Sequence, residues 1–251
     1  LEHQSERPSP GREKQGALCH EEERAGVQAS WVRALETLGV LAFTLLLSWA
    51  VMRTVILSSA LPIEETLTLG ALSFFLAWLL SDLLSGLIHF AGDRIGHSAW
   101  PILGPGFIAP FREHHSFPDA ILSHGLCERI GSHAIGTIPF LAGALVVGDA
   151  SAPVSVTGLH VGVAFFLVSL SFWVVLTGQI HVWAHQRVVP VWVRRAQRIG
   201  ILLSPEQHAC HHTGAHRSHY CITSGFWDRA VFGGLSGQSS PTENKPEPEW
   251  S

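Results

Sequence analysis

The sequence predicts an all-α integral membrane protein: a bundle of about four transmembrane helices with a histidine-rich cap on the cytoplasmic side. Composition, apolar run length and arginine placement lead there. Of 251 residues, 47% are hydrophobic and 14% charged, well below the roughly 25% charged of a soluble domain. Four apolar segments alternate with polar ones, and soluble core helices seldom stay apolar on all faces for such lengths. Arginines crowd every second connection and avoid the others.

Residues 1–30 are polar, with Pro8, Pro10 and an acidic–basic run at Glu21–Arg24, and read as a disordered tail. Leu35–Leu57 and Thr66–Phe90 each exceed the roughly 20 residues that cross a bilayer core. Ala134–Val147 is shorter and contains Pro139, so a tilted, kinked or re-entrant element is expected. Thr157–His181 is long again and rich in Phe, Val and Leu. Pro101–Pro110 is broken by Pro and Gly and reads as a loop or interfacial segment. Pro190–Leu203 sets Trp192, Arg194, Arg195 and Arg198 among apolar residues, the pattern of a basic amphipathic helix lying on lipid headgroups. Residues 236–251 are polar and Pro-rich, a second disordered end, which leaves 31–235 as one membrane domain.

Basic residues set the orientation. Arg7, Arg12, Lys14, Arg24 and Arg33 precede the first span. Arg94, Arg112 and Arg129 lie between the second and third, and seven more basic residues follow His185. The connections 58–65 and 148–156 have none, and only Arg53 falls near the outer side. Both termini are therefore expected in the cytoplasm; the 14 Arg against 2 Lys fit a GC-rich bacterial genome, and the expected location is a bacterial cytoplasmic membrane.

That topology gathers the histidines. Residues 208–219 hold five of them, His208, His211, His212, His216 and His219. His114 and His115 end a Phe-Arg-Glu-His-His run, His181 and His185 end the fourth span, and His89 and Asp93 end the second. His124 lies on the same side. Imidazole is a ligand for Zn, Cu, Fe and Ni, and residues three or four apart share a helix face, as His181 with His185 and His208 with His211 and His212 would. A structural zinc takes four ligands. The eight histidines 89, 114, 115, 181, 185, 208, 211 and 212 are too many for one ion and suit two.

His97, His133 and His160 read instead as polar residues at helix ends, His3 and His20 as tail residues, and His219 as a supporting or surface residue. Cys19, Cys127, Cys210 and Cys221 lack metal-knuckle spacing and read as reduced packing cysteines. The absence of His-Glu-x-x-His argues against a zinc protease of the membrane, and no covalent haem motif is present. A metal transporter would hold ligands near the midplane rather than at one edge. A non-catalytic metal- or haem-binding membrane protein stays open on these residues alone.

Four stretches then carry a family resemblance: GLIHFAGD (86–93), FREHHSFPDAILSHGLCERIG (111–131), TGQIHVWAH (177–185) and HACHHTGAHRSHYCITSG (208–225). Together, in this order, they resemble the Kua/CarF-type lipid desaturases, which include the plasmanylethanolamine desaturases. The resemblance implies a non-haem di-iron enzyme that uses O₂ and two electrons to remove two hydrogens from a lipid chain. Its metal-binding histidines fall on His89, His114, His115, His181, His185, His208, His211 and His212, with Asp93, His124 and His216 as further ligand positions. Asp119 and Glu128 are expected to orient imidazoles. Gly178 stands where many members carry Asn, Gly125 where an acid is common, Gln207 where animal members carry His and Asp228 where Asn is frequent. The ether-lipid branch matches better than the acyl-lipid branch, so the expected reaction turns a 1-O-alkyl phospholipid into its vinyl ether, with an acyl-lipid desaturase or hydroxylase as the alternative. No flavin or nicotinamide fingerprint is present, so electrons are expected from an external donor protein such as cytochrome b5 or a ferredoxin. The expected partners are that donor and a membrane lipid, with no nucleic acid.

Overall fold

A computed structural model describes residues 30–147, 157–213 and 216–228. The expected terminal tails lie outside these, apart from Ser30, which already belongs to a helix. Among the described residues, four helices are long and apolar enough to cross a membrane: α1 (Ser30–Ser58), α2 (Ile63–Arg94), α4 (Leu126–Val147) and α5 (Gly158–His185). Between α2 and α4 a π-helical turn (Gly104–Ile108) runs into a short α3 (Ala109–Ser116) and a 3₁₀ turn (Pro118–Ser123). After α5 come α6 (Val191–Arg198) and α7 (Pro205–His212).

Local chemistry sets these boundaries. Pro62 precedes the first turn of α2, which carries Glu64 and Glu65, while Arg94 sits in its last turn; both charges complement the helix dipole. Thr157 and His160 form a reciprocal cap at the start of α5, with Thr157 Oγ1 2.8 Å from His160 Nδ1. His160 is thus a capping residue, in keeping with a structural role. Ser204 caps α7 by accepting the Gln207 N–H at 3.2 Å, with Pro205 in its first turn where a missing N–H costs nothing.

The α4 segment departs from expectation. The helix starts at Leu126, well before the apolar run, and continues through Pro139 for 22 residues, so it is a full span rather than a re-entrant piece. Its polar first half lies against neighbouring helices: a side chain at Gly131 would meet the Cβ of Glu36 at 2.4 Å, and one at Gly39 would meet Ile135 at 2.4 Å. Small residues at such crossings let backbones approach where apolar burial gives no net gain over lipid.

The bundle packs α1 on α4, α4 on α5 and α5 on α2, with α1 also touching α5. α2 and α4 thus flank α5 without extended packing on each other. The outer faces carry exposed Leu38, Leu45, Leu67, Phe75 and Leu159, as lipid-facing surfaces do. The Ser30, Arg94, Leu126 and His185 ends lie together, and the opposite end is closed by Leu57, Val161 and Ala164. α6 buries Val193 and Gln197 and leaves Trp192, Arg194, Arg195 and Arg198 exposed, the amphipathic arrangement expected for 190–203.

The C-terminal segment 220–228 folds back into the bundle on one buried carboxylate. Asp82 Oδ1 accepts the N–H groups of Ser224 (2.7 Å) and Gly225 (3.0 Å), and Oδ2 accepts that of Trp227 (3.2 Å). Ser85 Oγ accepts the Ile222 N–H, and the Thr177 and Thr223 hydroxyls meet at 2.7 Å. Trp78 and Trp227 donate their indole N–H groups to the carbonyls of Ile201 and Leu79. An Asp inside an apolar span signals function or fixed partners; here its partners are backbone.

Candidate metal centre

At the shared end, nine side chains form two adjoining sets. The first is His114, His181, His185, His208 and His212; the second is His89, Asp93, His115 and His211. Within each set the ligand atoms lie within 4.8 Å of one another. Helix periodicity builds both. His181 and His185 share one face of α5, His208 and His212 one face of α7, and His89 and Asp93 one face of α2. Adjacent residues point apart, so His114 and His115 on α3 divide between the sets, as do His212 and His211 on α7.

The Nε2 atoms converge. His208 Nε2 stands 2.8 Å from His185 Nε2, 2.9 Å from His181 Nε2 and 3.0 Å from His212 Nε2, and His185 Nε2 is 3.1 Å from His114 Nε2. Two ligands at right angles on bonds of about 2.1 Å stand about 3.0 Å apart, closer than a tetrahedral pair. Five imidazoles at this spacing fit an ion with more than four ligands. In the second set His211 Nε2 lies 3.1 Å from His115 Nε2 and 3.5 Å from Asp93 Oδ2, and His115 Nδ1 lies 3.3 Å from Asp93 Oδ1.

Both sets suit a cation, for different reasons. In the second, both ring nitrogens of His89 and Oδ2 of Asp93 are buried without a hydrogen-bond partner; an orphaned buried polar atom costs about 1–3 kcal/mol, and a cation there would satisfy Asp93 and one nitrogen of His89. In the first, the converging Nε2 lone pairs of neutral rings repel unless a cation lies among them. Burial also keeps the rings neutral. Desolvation, reinforced by neighbouring rings, pulls His114 down to about 2 and His115 to about 3, and holds His208 well below the ordinary imidazole value. His211 and His212 fall to about 4, chiefly through burial. Neutral imidazole is the form that offers a lone pair. His211 Nδ1 lies 2.7 Å from the Ser218 carbonyl; an Nδ1–H donated there directs Nε2 into the site, the usual way a ligand imidazole is oriented.

The remaining predicted residues separate. His216 stacks on His115 with centroids 4.4 Å apart, beside the second set but outside it, and its buried Nε2 has no partner. His124 belongs to neither set and lines a cavity with Glu113. Asp119 lies in the 3₁₀ turn that packs on α5, outside both sets. Glu128 does not reach an imidazole: its Oε2 accepts the Gly125 N–H at 2.8 Å and so caps α4. His97 is exposed, its Nδ1 accepting the Ala99 N–H. Among the described cysteines, none joins a ligand set; Cys221 is fully buried, and burial pushes its thiol far up.

Sequence reasoning missed the cavity and two of its residues. The space, about 630 Å³, lies between α2 and α4 with α5 behind it and the Gly104–Ser116 segment across its end. His89, from the second set, and His114 and His181, from the first, all open onto it. Away from them the lining is apolar, with Leu84, Phe140 and Val174. His133, read from sequence as a helix-end residue, lies in its wall beside Gly178. A Cβ added at Gly178 would stand 2.3 Å from the Arg129 carbonyl and 3.1 Å from His133 Nδ1. Gly178 is therefore a close crossing of α4 and α5, with no room for a longer side chain there.

Comparison with known proteins places this arrangement. A model of the lipid desaturase domain matches residues 78–232. A plasmanylethanolamine desaturase of Myxococcus xanthus is 36% identical over 156 residues, covering 62% of this chain and 53% of that protein. Plasmanylethanolamine desaturase 1 of Mus musculus is 33% identical over 173 residues, 64% of each. The chloroplastic fatty acid desaturase 4 of Arabidopsis thaliana is 29% identical over 170 residues, 64% of this chain and 47% of that one. The chain thus spans between about half and two thirds of the length of these relatives, and no solved structure matches it. The matched domain contains both ligand sets and the Asp82-anchored segment, and the chain belongs to the lipid desaturase family of the Kua/CarF type.

Proposed function

We propose that this protein is an O₂-dependent membrane lipid desaturase holding two non-haem irons, which converts a 1-O-alkyl ether phospholipid of the plasmanylethanolamine class to its vinyl ether. The observation that carries the reading is the cavity, apolar at one end and lined at the other by histidines of both ligand sets. An amphiphile lying in it exposes a carbon near its polar end, rather than mid-chain, to the metal ligands. The relatives named plasmanylethanolamine desaturase support the ether lipid.

His114, His181, His185, His208 and His212 would hold one iron, and His89, Asp93, His115 and His211 the other. When bound, the irons supply O₂ activation; with two electrons and two protons from outside, O₂ leaves as two waters while the chain loses two hydrogens. The protein's residues keep the imidazoles neutral and aimed, as Ser218 does for His211, and exclude water with Phe107, Phe111 and Ile121. Electrons come from an external carrier protein, and the histidine end faces the cytoplasm, in keeping with the arginine distribution.

The relatives named fatty acid desaturase favour a second reading on the same metal centre, in which an acyl chain is the substrate. Lipid mass spectrometry separates the two. A host supplied with 1-O-alkyl phospholipid should gain, only with this protein, a lipid two hydrogens lighter that releases a fatty aldehyde in mild acid. Loss of two hydrogens from acyl chains without acid-labile aldehyde would replace the ether reading by the acyl one.

A further inference from the structure

The α4 wall of the cavity has a graded chemistry that the metal ligands do not use. Glu128 and Arg129 lie nearest its start, Ser132 and His133 follow one turn on, and Gly136 and Phe140 complete the strip. Spacings of three and four place Arg129, Ser132, His133 and Gly136 along one face. Arg129 is the one arginine or lysine among the described residues that line the cavity. One arm of its guanidinium donates to the Leu122 carbonyl at 3.2 Å. His133 has one polar contact, Nδ1 at 3.5 Å from Ser132 Oγ, which leaves Nε2 without a protein partner. Gly178 brings this ring against α5 three residues before the ligand His181. Charge falls to polarity and then to apolar surface along the strip, the order of groups in a phosphoglyceride.

Resting on the desaturase reading, we propose that this strip is the subsite for the polar part of the substrate: Arg129 binds the phosphodiester and His133 hydrogen-bonds an oxygen of the glycerol region. Guanidinium matches phosphate oxygens with paired donors. The His133 ring lines the cavity with no protein hydrogen bond at Nε2, and ether or ester oxygens offer it an acceptor in the tautomer that carries its proton on Nε2. Glu113 lines the same cavity and is the carboxylate a headgroup ammonium would meet there. Fixing the phosphate and the glycerol oxygens fixes which carbon pair stands before His89, His114 and His181. Arg129 and His133 are positioning residues; neither touches the ligand sets.

The test uses the full-length, metal-loaded protein in nanodiscs with two probes, a 1-O-alkyl-2-acyl glycerophosphoethanolamine and the 1-O-alkyl-2-acylglycerol that lacks the phosphate. Native mass spectrometry reads retained lipid, and product analysis reads double-bond position, KM and kcat. The wild type should retain the phosphate-bearing probe at least about tenfold better, the scale of a charge-assisted hydrogen bond. Arg129→Leu should abolish that preference and raise KM, with Arg129→Lys restoring part of it. His133→Leu should lower kcat and scatter the double-bond position, with His133→Asn recovering it. Metal content should not change. Unaltered retention, KM and product position in both leucine variants would overturn the proposal, as would equal losses of metal or thermal stability in the conservative variants, which would assign the strip to packing. If Arg129→Leu loses the phosphate preference while the wild type makes no lighter lipid at all, the desaturase reading fails and the subsite stands.

Discussion

The two ligand sets share α3 and α7 but differ in their third helix, α5 for the first and α2 for the second, and in charge. The first has five imidazoles and no carboxylate, three of them half-buried; the second has three imidazoles and Asp93, with His89 and His211 fully buried. On the proposed reading the first would hold an ion by ligand number alone. The second would offset part of the ion's charge with Asp93, and a buried charge costs most unless paired. Two equal ions would sit in unequal sites, and side chains at the two should fail in different ways.

The largest effect belongs to the histidines that join elements. His181→Ala and His208→Ala should each remove the first ion and lower turnover at least about a hundredfold, beyond the 10–100-fold typical of supporting groups. His211→Ala should do the same to the second ion. Metal analysis beside lipid turnover checks this; full activity after His211→Ala with His212→Ala would dismantle the centre.

Asp93→Asn sharpens the comparison. The amide keeps the shape and loses the charge, so the second ion should weaken by about 10–100-fold while the first stays. A variant that retains about one ion per chain by metal titration meets the expectation. Loss of both ions, or of neither, would erase the distinction between the sets.

Asp82→Asn should act on stability instead. It weakens three backbone hydrogen bonds that fasten 224–227 to α2, worth about 1–3 kcal/mol for a charged acceptor. Thermal unfolding in detergent should show it, with metal content kept at low temperature. The pH dependence follows from the lowered imidazole values. In the metal-free protein His115, His211 and His212 stay neutral to about 3–4, while the unfolded chain takes up protons below about 6.5. The unfolded state binds more protons in that window, so stability falls as pH drops through it and is retained above. Midpoints of the metal-free protein at pH 7.5 and pH 5 check the sign. The smallest effects should come from His124→Ala and His216→Ala, which lie outside both sets; a loss of turnover above about tenfold in either would extend the centre to that residue.

Much of this was legible in the chain. Apolar runs located α1, α2 and α5, because length and composition alone make a span. The i, i+4 histidine pairs announced ligand faces, because a helix puts such residues together whatever surrounds it. The start of α4 was hidden, since Cys127–His133 looks like a polar loop until other helices cover it. The division of His114 from His115 needed the direction of α3, a tertiary fact. Asp82 carried a readable signal as the one acid inside an apolar run of α2, yet its partners are backbone groups more than a hundred residues away. Gly178 stood out in the sequence only as a departure from the family Asn; the packing of Arg129 and His133 against it gives the physical reason, a close helix crossing.

Metal content of the purified protein tests the central claim most directly. The purified protein should carry two irons per chain, show no haem absorption, and drop to about one iron in Asp93→Asn. A single tightly held zinc, a haem band, or one iron per chain in the fully active wild type would contradict it.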